Sequence, residues 1–224
     1  MVKKVGVIVP NDNDTVIEDL NLVLRGKLEL VQYKMRETNN KGYPENQKQA
    51  MEFINDLKKA GLFFKKLDVE SIVYGRGFGT YNKSGRALIN SILGNYCEKV
   101  ILPTELLIKK IHDSGTDNIS LILPYTSDRA KNDIEMFNEE NISIKNNIYL
   151  GENQGERIAK IPNKEIYDII IENKENFEST EYIVLQCTAL HTIEIIEKLK
   201  PLIKNNIISS NSIIKDYLIY GINI

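Results

Sequence analysis

Eight short, unbroken apolar runs separated by longer amphipathic stretches constrain this chain more than any other feature. The runs are KVGVIVP (4–10), LELVQY (28–33), SIVYG (71–75), KVIL (99–102), NISLILP (118–124), ISIKNNIYL (142–150), EYIVLQ (181–186) and NIISS (206–210). Most lack strict polar/apolar alternation, so they suit strands covered on both faces, and such strands belong to parallel sheets. Parallel neighbours need crossovers, and helical patterns over 44–60, 83–96, 104–113, 128–140, 163–176 and 189–200 supply them. The pattern predicts an α/β fold with mainly parallel sheets. No low-complexity linker divides it.

The runs also repeat. VGVIVP (5–10) and ISLILP (119–124) are both apolar and end in proline, and IVYGRGFGT (72–80) parallels IVLQCTALH (183–191). Pro10 lies 66 positions before Arg76, and Pro124 lies 63 before Cys187. Two Rossmann-like lobes related by a pseudo-two-fold follow: residues 1–100 plus 205–224, and residues 101–204. Ligands of open α/β sheets bind beyond the carboxyl ends of the strands. Arg76 and Cys187 then become opposite numbers across a cleft between the lobes, where an active site is expected.

Composition removes several classes of function. The 29 basic and 31 acidic residues nearly cancel, which argues against a nucleic-acid binder. No run approaches the ~20 apolar residues of a membrane span, and the N-terminus resembles a strand rather than a signal peptide. Two cysteines cannot make a disulfide framework, so a soluble cytoplasmic protein is expected. His112 and His191 belong to no ligand-spaced cluster, and no metal site is expected.

Three segments can carry chemistry. In QCTALHTIEIIEKL (186–199), Cys187 follows a strand and precedes a helical pattern, with Thr188 beside it and His191 expected in the first helical turn. A helix N-terminus there favours thiolate and can hold an oxyanion; the alternative is a cysteine that simply packs. In LPYTSDRAKND (123–133), Tyr125, Thr126 and Ser127 form a hydroxyl cradle or cap the helix. In VPNDNDTVIEDL (9–20), Asn13 or Thr15 can bind a carboxylate, or the segment is ordinary capping. Gly75, Gly77 and Gly79 give G-x-G-x-G, an incomplete match to the dinucleotide fingerprint. Arg76 within that loop can grip a phosphate, bind a carboxylate, or occupy the place of a more reactive group. Cys97 reads as packing, and His112 as a surface or capping residue.

Four segments in order resemble the aspartate/glutamate racemase superfamily, in the branch of maleate cis–trans isomerases and arylmalonate decarboxylases. VGVIVPNDNDTVIEDL resembles its opening strand, with Asn13 at the substrate-binding asparagine. LPYTSD is similar to its proline–tyrosine–threonine segment, QCTALHT to its second cysteine motif, and IISSNSIIKDYLIYG (207–221) to its serine–serine–asparagine ending.

The resemblance implies a metal- and cofactor-independent enzyme with its site between two lobes, and a homodimer is compatible with it. Racemases of the superfamily use two cysteines, one on each face of the substrate carbon. Here the first position carries Arg76, which is neither a base nor a nucleophile. The decarboxylase pattern, which also lacks the first cysteine, fits better, although its residue there is small.

The expected chemistry takes a small (di)carboxylic acid through an enediolate, with Cys187 as the single proton donor. Asn13, Tyr125, Thr126 and the amides of Gly77, Phe78 and Thr188 hold carboxylate oxygens, Arg76 anchors a second carboxylate, and His191 and Asn211 stand behind Cys187. The alternatives are an isomerase or racemase in which another residue replaces the first cysteine, and a non-catalytic carboxylate-binding protein.

Overall fold

Residues 2–36, 39 and 41–221 are described by a computed structural model. The ends of the expected first lobe, residue 1 and residues 222–224, lie outside them. The first half runs β1 (Lys3–Pro10), α1 (Thr15–Leu24), β2 (Leu28–Met35), α2 (Gln47–Lys66), β3 (Ser71–Tyr74), α3 (Lys83–Gly94), β4 (Val100–Ile101) and α4 (Pro103–Asp113). The second runs β5 (Asn118–Leu123), α5 (Ser127–Glu139), β6 (Ser143–Tyr149), α6 (Gly155–Ile158), α7 (Asn163–Glu172), α8 (Lys174–Phe177), β7 (Tyr182–Leu185), α9 (Ile193–Leu199), β8 (Asn206–Ser209) and α10 (Ser210–Tyr220).

The strands form two four-stranded sheets, ordered β2-β1-β3-β4 and β6-β5-β7-β8, and every pairing is parallel. The second order is the first with four added to each number. The internal repeat is therefore structural. All four residues of β3 and all four of β7 are buried, as two-sided coverage by helices requires.

Several boundaries differ from the pattern. α2 runs on to Lys66 because Leu57, Ala60, Gly61 and Phe64 keep a buried face at helical spacing, and the Asn46 side chain caps its start on the Gln49 amide. The stretch 163–176 breaks at Asn173, whose side chain donates to the Ile169 carbonyl. α10 was not expected as a helix, because its first turn is Ser-Asn-Ser. That turn is stabilised by a capping box between Ser209 and Ser212.

The expected lobe boundaries need correction. Asn206–Ser209 is β8, paired to β7, so the chain has not returned to the first lobe at residue 205. It crosses only with α10. That helix puts Ile214 into the core formed by Val16, Leu20 and Leu24 of α1, while Ile213 stays with the second core. α4 makes the reciprocal crossing, burying Leu107, Ile108 and Ile111 in the core of the second sheet. Each sheet thus lends its last helix to the other lobe.

The lobes are also joined by polar contacts. The Thr188 hydroxyl donates to the Gly75 carbonyl at 2.9 Å, and buried Arg86 of α3 pairs with Glu140 after α5. Gly75 sits where backbone passes backbone: its amide donates to the Ile8 carbonyl at 2.9 Å. A Cβ at Gly75 would lie 2.9 Å from that same oxygen. Gly75→Ala should therefore cost about 1–3 kcal/mol by overpacking against a main-chain atom that cannot rotate away. A urea midpoint that falls with unchanged slope would bear this out, and an unchanged midpoint would contradict it.

Candidate active site

The two sheets end in loops that meet around a cavity of about 300 Å³. In each lobe a strand end fixes one loop by the same bond. The Gly75 amide donates to Ile8 beyond β3, and the Gln186 amide donates to Ile122 beyond β7, at 2.9 and 3.1 Å. The next residues are Arg76 and Cys187. They are structural counterparts, and both line the cavity.

Cys187 lies in a turn rather than at a helix N-terminus. α9 starts only at Ile193, so the expected helix over 189–200 begins four residues late, and His191 precedes it. Cys187 has φ +104°, a conformation that costs a residue with a side chain about 1–3 kcal/mol and is held by its surroundings. Its amide donates to the Ser210 hydroxyl at 3.3 Å, and the Ala189 amide donates to its sulfur at 3.4 Å. Cys187 lines the cavity and is half-buried. Burial pushes the Cys187 thiol up to about 11, against the Tyr125 hydroxyl and the Ala189 amide, which pull it down. Desolvation outweighs the local donors, so the thiol form is favoured where a helix N-terminus would have favoured thiolate.

Asp19 of α1 holds this turn. Its carboxylate is 1% exposed and accepts from the Thr192 amide at 2.9 Å, the Asn211 side chain at 2.9 Å and the Ile193 amide at 3.4 Å. Its other oxygen is 2.8 Å from Nδ1 of His191. Asn211 also donates to the carbonyls of Leu190 and Thr188 at 3.1 and 3.3 Å. His191 and Asn211 thus stand behind the Cys187 turn, outside the cavity lining.

Of the other expected residues, Asn13, Gly77, Phe78, Tyr125 and Thr188 line the cavity. Asn13 is 8% exposed, and its side-chain oxygen has no hydrogen-bond partner among the described residues. The amides of Gly77, Phe78 and Thr188 donate to no acceptor there either. The Thr188 hydroxyl is committed to Gly75.

Thr126 departs from expectation: it is absent from the lining, and its amide and hydroxyl both meet the Asn153 side-chain oxygen at 3.2 Å. Arg76 is 2% exposed, with its guanidinium over the Phe78 ring and Nη1 donating to the Met35 carbonyl at 3.0 Å. It is anchored to the carboxyl end of β2. Cys97 lies elsewhere, near the Val69 and Lys99 carbonyls.

Sequence reasoning missed Asp19, Tyr81, Arg129, Asp133, Asn153 and Gly155. Tyr81, Arg129, Asn153 and Gly155 line the cavity. A Cβ on Gly155 would lie 2.6 Å from the Asp12 side chain and 2.7 Å from the Asn13 side chain, so a larger residue there would displace those two side chains. The four-residue spacing of Arg129 and Asp133 was a readable signal, since it sets the two side chains along one side of α5. Burial raises both Tyr81 and Tyr125 far above the ordinary phenol range, and lifts Asp133 to about 7 against Arg129 and Gln186. Among the described residues no group of three or more His, Cys, Asp or Glu could hold a metal, and no helix is long and apolar enough to cross a membrane.

No family model matches the chain, and no curated protein matches it. Solved structures do. Maleate isomerase Iso from Pseudomonas putida superposes with a TM-score of 0.77 at 14% identity, covering 100% of this chain and 94% of that one. A doubly substituted arylmalonate decarboxylase in its liganded form gives 0.81 at 14%, covering 99% and 94%. A cysteine-substituted Nocardia farcinica maleate cis–trans isomerase with a covalently bound succinylcysteine intermediate gives 0.75 at 13%, covering 100% and 94%. The fold is that of maleate isomerases and arylmalonate decarboxylases, as the sequence resemblance implied.

Two outcomes follow from Asp19. Asp19→Ala should destabilise the protein by about 3–5 kcal/mol, because the amide and side-chain donors lose their buried acceptor. Retention of wild-type stability in denaturant would refute this. Hydrogen bonding to Asp19 also raises the pKa of His191 above 6.5, despite partial burial. The stabilisation from its charged form is then complete below pH 6.5 and lost as pH rises through the raised value. The stability gap between wild type and His191→Ala should shrink along that rise; a gap that widens would reverse the sign.

Proposed function

We propose that the chain is a cofactor-independent enzyme that carries a small carboxylic acid through an enediolate-like intermediate, with Cys187 as its single proton donor. One observation carries the reading: at structurally equivalent positions the cavity has one cysteine, whose thiol form burial favours, and one arginine. A protonated thiol suits an acid, and a guanidinium cannot take a proton from carbon. The intermediate is then best formed by losing carbon dioxide rather than a proton.

In that step the bond from the α-carbon to one carboxylate breaks, and its electron pair spreads onto the remaining carboxyl group as an enediolate. The amides of Gly77, Phe78 and Thr188, with Asn13, supply donors for its oxygens; one well-placed donor of this kind is worth roughly 3 kcal/mol. Cys187 delivers its proton to the carbon. The resulting thiolate keeps the Tyr125 hydroxyl and Ala189 amide as donors and recovers a proton from water. The likeness to decarboxylase and isomerase folds supports this chemistry.

The test is incubation in heavy water with α-substituted malonates and with maleate. Carbon dioxide release should accompany deuterium at the product α-carbon, and Cys187→Ala should lower the rate about 10²–10⁴-fold. Full activity in that variant would sink the proposal, and maleate isomerisation without carbon dioxide release would replace it with an isomerase. The free-enzyme pH profile gives an independent check. With a thiol donor, the Cys187 limb of kcat/KM stays flat through neutral pH and falls towards about pH 11. A thiolate base would make it rise there.

A further inference from the structure

The chemistry above leaves Arg129 of the cavity without a role. Arg129, in the first turn of α5, reaches the lining with its guanidinium carbon 4.7 Å from the Tyr125 ring centroid and 5.3 Å from that of Tyr81. Nη2 donates to the Tyr81 hydroxyl at 2.8 Å. Nη1 is buried and has no hydrogen-bond partner, and the nearest carboxylate oxygen, on Asp133, stands 4.0 Å away. That oxygen is also buried without a hydrogen bond. A guanidinium fixed by two aromatic rings, with Nη2 hydrogen-bonded and Nη1 held only by a long 4.0 Å ion pair to Asp133 on its own helix, is pre-organised to offer Nη1 to an anion. Arg76 is less suited to the same task, because its Nη1 already donates to the Met35 carbonyl.

We propose that Arg129 is the specificity-determining residue that accepts a second anionic group of the substrate, so that the cavity discriminates dianions from monoanions of the same shape. This rests on the carboxylic-acid reading given above. Tyr125 links the two ends of the site: its hydroxyl acts on the Cys187 thiol, pulling its pKa down, while its ring lies against Arg129. An anion at Nη1 therefore sits one tyrosine away from the thiol. Cys187 would act on one end of the substrate while Arg129 holds the other.

Calorimetric binding tests this without turnover, using Cys187→Ala to prevent reaction. The probes are succinate and malonate against succinamate and malonamate, which replace one carboxylate by a neutral amide of nearly equal size. The dianions should bind roughly tenfold to a hundredfold tighter, the range expected for a hydrogen bond to a charged group in a buried site. Arg129→Gln should erase that preference while leaving amide-analogue binding near the parent level, and Arg129→Lys should retain part of it.

Equal affinity for both members of each pair in the parent protein would overturn the proposal whether or not the variants fold, and leave the carboxylic-acid reading standing. A preference that survives in folded Arg129→Gln would overturn it too. Failure of every probe to bind would remove both readings together.

Discussion

The carboxylate of Asp19 governs the geometry on which the site depends. It belongs to α1 in the first lobe, yet its acceptors serve the backbone of the second. A buried carboxylate is tolerated only when donors replace the water it has lost, and here two amides, the Asn211 side chain and His191 surround it. The same contacts decide where α9 begins. With the amides of Thr192 and Ile193 capped from another element, the five residues before Thr192 need not be helical. They form the turn that carries Cys187 at φ +104° into the cavity. One interlobe interaction therefore sets a helix start, a strained backbone and the aim of a thiol.

Desolvation then decides the chemistry of what is aimed. Enclosure raises the Cys187 thiol, the Tyr81 and Tyr125 phenols and the Asp133 carboxyl together, because in each case the charged form loses water. Arginine alone stays charged under the same pressure. A cavity built this way offers proton donors and fixed positive charge, a combination suited to developing negative charge on a substrate. The two guanidiniums differ in use. Arg76 is tied to the end of β2, whereas Arg129 lies between aromatic rings with one nitrogen that makes no hydrogen bond.

Much of this was legible before any coordinates. Parallel sheets follow from runs such as SIVY and YIVL, whose lack of alternation can be satisfied only by burial on both faces. The repeat and the equivalence of Arg76 with Cys187 also followed, since proline-ended runs and strand–loop spacing survive in the sequence. The rest was hidden for physical reasons. Asp19 looks like one of several acidic residues in an exposed first turn until α1 packs against the other lobe. The α10 helix begins with serines and an asparagine that favour turns as readily as helix starts. The protonation state of Cys187 depends on enclosure by residues distant in sequence, whereas local order suggested a helix dipole that is not there.

The departure from symmetry bears most directly on reaction type. Racemisation at a carbon needs an acid and a base that exchange roles, and two equivalent thiols in two equivalent loops provide such a pair. The fold keeps the equivalence of the loops to the level of single hydrogen bonds, Gly75 to Ile8 and Gln186 to Ile122. It places groups of opposite capacity at the next position in each. A thiol can give a proton and later regain it; a guanidinium can only hold charge. In the proposed reaction, proton delivery from one face alone requires the carbanion to come from a leaving group other than a proton, and would give the product a single hand. The glycine-rich loop around Arg76 thus leaves the Gly77 and Phe78 amides without an acceptor among the described residues, beside a side chain that cannot serve as a second base.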